Sequence, residues 1–498
     1  MAITRTLTQS GLCRGFATET PGVSAFLGIP YAQPPVGDRR WRMAEPALPW
    51  EGERDCTHFG PSCWQRDNTK STRYAQMMAR NPVPPVPFVM DEDCLFLNIW
   101  TPAEGRGERY PVMVWFYGGN LQAGTTADNL FDGEGLCPYG VVLVTVNYRT
   151  GVFGYFGHPD LEAENEYRAC GNYGLGDQIC ALEWIHRNIM NFGGDPGNVT
   201  IFGCSGGGRS VQGVCCAKRS LGLVHHAVCH SAGGLNPHYS TPYDTILEYG
   251  REFMAMCGKK DLAQLRDVPA GELQAAYERF GKTFNITADG YLLPWTMDEV
   301  VRRGEQADVD YILSTMNDEF VMPAPEGLTK DNFQKYAVRM GIRTSIFGRI
   351  CRPETDAEAK AFMTRAECYE MKSAQLAWAQ VQAGQPKKPV RLCTNVHPMP
   401  GTGRASHGDD QYYIFHTMRK FWNPFTEEDE ELSRTLRQYW TNFAKTGDPN
   451  GPGLAEWTPY TKESPLTLTI DAGGCKMEDR SRPMLEKLAK TYIENREH

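Results

Sequence analysis

An α/β architecture, with a mostly parallel central sheet and helices on both faces, is predicted by two features of this 498-residue sequence. Short apolar runs bounded by turn residues alternate with helix-length segments, which is the pattern of strands buried on both faces. One of those runs leads straight into a serine framed by glycines, Gly203-Cys204-Ser205-Gly206-Gly207. In chain order the predicted strands are Val112–Phe116, Val141–Val146, Val199–Phe202, Tyr311–Leu313 and Val390–Leu392. Between the second and third, Ile179, Leu182, Ile185 and Ile189 recur at helical steps, and Gly193-Gly194 with Pro196 ends the pattern, so a crossover helix is predicted there. Leu432, Leu436, Tyr439, Trp440 and Phe443 form another helical stripe, read as core packing. The stretch from Trp64 to Met90 carries Asn81-Pro82-Val83-Pro84-Pro85-Val86-Pro87-Phe88; prolines remove donors and fix φ, so it is predicted to be an irregular loop rimming a pocket.

Length alone would allow more than one domain, but no linker, repeat or low-complexity tract divides the composition, so residues 1–498 are expected to form one unit. A net charge of −9 without a basic stripe argues against a nucleic-acid partner or an anionic membrane surface. The first residues lack a secretory apolar core, and no apolar run approaches the roughly 20 residues that span a bilayer. The expected location is therefore cytoplasmic, or exported if a leader has been removed. Oligomeric state is left open. The 16 cysteines show no framework spacing and read mostly as buried thiols, although Cys63 and Cys94 bracket the irregular loop and a bond between them would tether it. His225, His226, Cys229 and His230 are dense enough to suggest a metal, but strand neighbours alternate faces and no more than two could point one way; no metal and no cofactor is expected.

The glycine-framed serine reads as a nucleophile elbow. A strand-to-helix turn this tight leaves no room for side chains two residues either side, hence Gly203 and Gly207, and it lifts Ser205 above the sheet edge at a helix amino end. Such a turn projects its central residue, so Ser205 and not Cys204 is the nucleophile candidate. A serine hydroxyl near neutral pH needs a base in hydrogen-bond reach and a carboxylate to fix the base's tautomer.

Further blocks carry a resemblance. Gly28-Ile29-Pro30-Tyr31-Ala32, Glu92-Asp93-Cys94-Leu95, Val146-Asn147-Tyr148-Arg149, Phe192-Gly193-Gly194-Asp195-Pro196 and Trp440-Thr441-Asn442-Phe443-Ala444 occur in that order. In these the chain resembles the type-B carboxylesterases and cholinesterases of the α/β-hydrolase fold, over nearly its whole length. The resemblance implies long insertions forming a substrate gorge, a catalytic order Ser, acid, His, and no cofactor. Mapped onto this sequence it implies His407 as base and Glu319 as acid. Phe320 stands where the family usually has glycine, and Asp318 is the competing carboxylate. Gly206 and the loop Tyr117-Gly118-Gly119-Asn120-Leu121 map to the oxyanion hole, with Gly119 and Asn120 as donors. Asn120 replaces a family glycine but tolerates positive φ. Cys204 replaces a family glutamate, which makes the site less negative and argues against a choline-ester specialist. Ser231 maps to a serine that positions the acid. Arg149 with Asp177 and Arg40 with Glu92 map to structural ion pairs, and Asp410 either braces the histidine loop or is an exposed carboxylate.

The resemblance places the acyl pocket after the Ser231 block, where Pro237-His238 stands, so either His238 lines it and admits a more polar acyl group or another side chain forms the wall. Leu121 and Phe320 are also expected in the pocket, with Met77, Met78, Phe88 and Met90 at an apolar entrance. These readings converge on a serine carboxylic ester hydrolase acting on small to medium, uncharged and partly apolar esters. The competing readings are a catalytically silent binding protein of the cholinesterase type and a biosynthetic relative that performs elimination or lactonisation.

Overall fold

The computed structural model describes residues 2–67, 69, 79–105, 107–339 and 346–494. Met77 and Met78, expected at the pocket entrance, lie outside the described residues. In chain order the strands are β1 (Arg5–Leu7), β2 (Leu12–Arg14), β3 (Phe16–Ala17), β4 (Ser24–Pro30), β5 (Glu53–Asp55), β6 (Phe96–Thr101) and β7 (Tyr110–Phe116). They continue with β8 (Val142–Val146), β9 (Gly194–Cys204), β10 (His226–His230), β11 (Asp310–Met316), β12 (Val390–Asn395), β13 (Thr467–Ile470) and β14 (Lys476–Glu478). β1, β2 and β5 make a small separate sheet; the rest form one sheet in the order β14-β13-β12-β11-β10-β9-β7-β8-β6-β4-β3.

From β8 to β13 every pairing in that order is parallel, and antiparallel strands flank both sides. β8, β10 and β12 are buried at every residue; β8 accordingly reads as an unbroken apolar run, whereas β10, with His226 and His230 at its ends, is not among the predicted runs, and β12 carries Arg391 within the predicted one. The helix Tyr173–Asn188 crosses from β8 toward β9 and stops at a short 3₁₀ turn whose cap, Gly193, has φ 77°. Gly194 opens β9, which places its first residues well ahead of the predicted apolar run. The predicted stripe lies on the helix Glu427–Thr446, which starts in a Thr426/Asp429 capping box and ends at Gly447 with φ 77°.

Helices cover both faces of the sheet. Two charged pairs fix loops at its edges: Arg149 grips Asp177 through two bonds of 2.7 and 2.9 Å, and Arg40 grips Glu92 through bonds of 2.5 and 2.7 Å. Arg40 also donates to the Arg266 and Val268 carbonyls and Arg149 to the Arg42 carbonyl, so both pairs tie chain segments together, although Arg149 Nη1 is buried without a partner among the described residues. Cys63 and Cys94 are buried neighbouring thiols, and contact with Cys63 together with burial pushes the Cys94 thiol well up. Among the described residues no helix is long and apolar enough to cross a membrane.

Candidate active site

Ser205 follows β9 directly and caps the helix Gly206–Cys216 with φ 58° and ψ −121°, a conformation that non-glycine residues rarely adopt. The crowding predicted for the elbow is visible. A Cβ on Gly203 would lie 2.5 Å from the Gly207 carbonyl oxygen, and one on Gly207 would overlap the Phe116 carbonyl of β7. The Ser205 N–H donates to the His230 carbonyl at 2.9 Å, which ties the turn to β10.

His407 and Glu319 meet from two neighbouring strands. Glu319 leaves the end of β11 fully buried, and the loop after β12 brings His407 Nδ1 within 2.5 Å of its Oε2. The other carboxylate oxygen, Oε1, accepts from the Ser231 hydroxyl at 2.6 Å and the Met316 N–H at 2.7 Å. Asp318 is engaged elsewhere: Arg365 donates to it at 2.9 Å and the Ala405 N–H at 3.2 Å. His407 Nε2 is buried without a partner among the described residues, and its ring lines the same cavity as Ser205. Phe320 takes the position after the acid at φ 44° and lays its ring 3.9 Å from the imidazole. A left-handed backbone is what glycine would adopt there without cost.

Asp410 is buried, not exposed, and opens the short helix that follows His407. It accepts from His230 Nδ1 at 2.7 Å, while Trp440 donates to His230 Nε2 at 3.1 Å. That pair of bonds fixes His230 as a neutral Nδ1–H tautomer and pins the histidine loop to β10. The other residues of the group diverge: His225 Nδ1 accepts from the Val199 N–H and His226 faces Asp310. Among the described residues no three such side chains converge.

The loop after β7 lies over the elbow. Gly119, Asn120 and Leu121 all have positive φ, 104°, 58° and 62°. A Cβ on Gly206 would come 2.8 Å from the amide nitrogens of both Asn120 and Leu121, so loop and helix start are in direct contact. Among the described residues neither the Gly119 nor the Asn120 N–H donates to a protein acceptor, as an oxyanion site requires. Sequence reasoning missed the residue that holds Asn120. Arg209, one helical turn after Ser205, donates to Asn120 Oδ1 at 2.6 Å and packs over Tyr239.

Ser205, His407, Gly119, Asn120, Cys204 and Phe320 line a cavity of about 560 Å³, with Phe88 from the proline-rich segment on its wall. Burial, with Asp410 and Glu319 nearby, pushes the Cys204 thiol well up and keeps it neutral. Two expected pocket residues are not in the lining. Leu121 is fully buried beside the helix start, because the positive-φ turn rotates it into the core. His238 is exposed, because Pro237 starts a 3₁₀ turn in which Asn236 accepts the His238 N–H and the side chain swings outward. Met90 does not reach the lining.

A mostly parallel sheet whose central strand ends in an elbow serine defines the α/β-hydrolase class. Comparison with known proteins narrows it. The carboxylesterase family profile matches residues 3–386 and 352–487. The chain is 32% identical to a cocaine esterase of Oryctolagus cuniculus, covering 90% of this chain and 89% of that protein. It is 30% identical to a medium-chain fatty acyl-CoA hydrolase precursor of Anas platyrhynchos, covering 98% and 93%. A solved PNB esterase superposes with a TM-score of 0.83 at 26% identity, over 98% of this chain and 99% of that one. The chain belongs to the carboxylesterase family and is a carboxylic ester hydrolase; a serine acyl-enzyme mechanism is general to that family.

Proposed function

We propose that Ser205 is the nucleophile of this esterase, His407 its base and Glu319 the acid that orients the base. The observation that carries this reading is the His407 ring: Nδ1 is committed to Glu319 at 2.5 Å, which leaves Nε2 free in the cavity that holds Ser205. Nε2 takes the Ser205 proton as Oγ bonds to the ester carbonyl carbon. The carbonyl π electrons move onto oxygen, where the N–H groups of Gly119, Asn120 and Gly206 donate. The tetrahedral species collapses, the C–O bond to the alcohol breaks, and the imidazolium returns its proton to the leaving alkoxide. Water, deprotonated by Nε2, then cleaves the acyl-enzyme. Ser231 and the Met316 amide position the acid.

The cavity's aromatic wall and the neutral Cys204 beside the nucleophile favour small to medium, uncharged, partly apolar esters. Treatment with a fluorophosphonate should add one phosphonyl group, found by peptide mass on Ser205, and Ser205→Ala should abolish both labelling and turnover of short aryl esters while the circular dichroism stays unchanged. Retained turnover in that variant would refute the assignment.

A further inference from the structure

A second cavity, of about 590 Å³, shares none of its described lining residues with the Ser205 cavity. It lies between β11 and β12 and the helices Ala366–Gln382 and Pro483–Glu494. Leu313, Leu376 and Met484 contribute apolar surface to its lining, and Arg365, Lys372, Arg480 and Arg482 contribute cationic groups. Among the described residues its lining contains no Asp or Glu. Arg365 and Arg480 have carboxylate partners outside the cavity, Asp318 at 2.9 Å and Glu478 at 3.1 Å. Lys372 donates to the Asn317 carbonyl at 3.1 Å and, among the described residues, to no carboxylate. Burial, reinforced by Arg480, lowers the Lys372 ammonium to about 8, so at neutral pH it is a mostly charged group short of a counter-ion.

Lys372 and Arg480 converge on one residue. Arg480 donates to Asn317 Oδ1 at 3.3 Å, and Arg365 donates to the Asn317 carbonyl at 2.6 Å. Asn317 lies two residues before Glu319, whose own carbonyl accepts from the Cys368 thiol of the cavity wall at 2.8 Å. A point charge that pairs with a cation and an aliphatic chain that fills an apolar slot are both needed to complete such a site.

We propose that this cavity binds a medium-chain aliphatic carboxylate, with its head group between Lys372 and Arg480 and its tail along Leu313, Leu376 and Met484. A free acid of this kind belongs to the chemical class that ester hydrolysis releases. An anion drawing Lys372 and Arg480 away from Asn317 perturbs the segment that carries the triad acid, so occupancy changes kcat more than KM for a short neutral ester.

The test is calorimetric titration of the full chain with decanoate after fluorophosphonate labelling, which blocks the Ser205 cavity. One decanoate per chain is expected, bound at least about tenfold more tightly than decanol or decyltrimethylammonium. Lys372→Met should weaken it about tenfold, and Leu376→Trp, which fills the tail slot, should do the same. Lack of binding to the labelled chain, equal binding of decanol, or an affinity untouched by these variants would overturn the proposal. Should Lys372→Met fail to fold, Leu376→Trp decides alone. Failure of the label itself would count against the Ser205 assignment only, and the same titrations on unlabelled chain and variants would still decide this one.

Discussion

The Arg209 guanidinium donates to the side-chain carbonyl of Asn120 at 2.6 Å, linking the helix that follows Ser205 to the loop after β7. Arg209 is buried, and its side-chain acceptors are the amide oxygens of Asn120 and, at 3.4 Å, Asn285, so among the described residues its charge is met by neutral acceptors next to the Gly119-Asn120 loop. Asn120 thus has two tasks: its backbone takes a left-handed turn and its side chain satisfies a buried cation. Arg209→Met should lower kcat for a short aryl ester about tenfold with little change in KM, the signature of an interaction that strengthens in the transition state. In a kinetic double-mutant cycle, Asn120→Gly and Arg209→Met should couple by about 1 to 2 kcal/mol; additive effects would show that the pair does not act as a unit.

Glu319→Gln keeps the shape of the acid but not its acceptors. The amide oxygen is needed by the Met316 N–H and Ser231 hydroxyl, which turns the NH₂ toward His407 Nδ1 and forces the proton onto Nε2. That imidazole cannot take a proton from serine. A fall in kcat of about 10³ to 10⁴ is expected in steady-state assays, with the thermal midpoint close to that of the parent. Ser231→Ala should cost far less, because the Met316 amide still holds the acid.

Gly207→Ala should not yield folded protein at 37 °C. Its methyl would overlap the Phe116 carbonyl, which is backbone in a buried central strand and cannot give way. Recovery of soluble, active variant by size-exclusion and esterase assay would contradict the elbow geometry.

Burial, with the neighbouring Asp410 and Glu319 charges, raises the Asp409 carboxyl to about 7, while His407 opposes that rise. Because the folded value lies above the unfolded one, Asp409 costs nothing below about pH 4 and destabilises progressively as pH climbs toward 7. Its Oδ2 accepts the Ser406 N–H at 2.6 Å, a role that an amide oxygen can fill. Asp409→Asn should therefore raise the thermal midpoint at pH 8 and leave it nearly unchanged at pH 4.5. Equal shifts at both values would be inconsistent with a raised carboxyl.

Most of the sheet centre was legible because burial on both faces favours runs of apolar residues, as in β7, β8 and the end of β9; β10 was missed as a run because histidines close both its ends. The flanking strands β4 and β6 were not, because their antiparallel pairing admits Gly28 and Asn98, which bond to each other across the pair and break the apolar run. Ser205 stood out since the turn's sterics dictate its neighbours. Glu319 and His407 carry no such local signature and were reached only through resemblance to a family. Arg209 gave no signal, as its partner is 89 residues away in sequence. Leu121 and His238 were misplaced for the same underlying reason: a single left-handed or proline-started turn decides which way a side chain points, and sequence spacing does not encode it.

Ser205 sits at φ 58° and ψ −121°, where a side chain is tolerated only because β9, β10 and the helix start leave the chain no alternative. Backbone held in this way costs about 1 to 3 kcal/mol. Ser205→Gly, lacking the Cβ that makes the posture unfavourable, should consequently melt about 1 to 2 °C above the parent, since a chain of this length shifts by only about one degree per kcal/mol. Under the role proposed for Ser205, durability is given up to hold its hydroxyl in place, and the more robust version of this polypeptide would be an inert one.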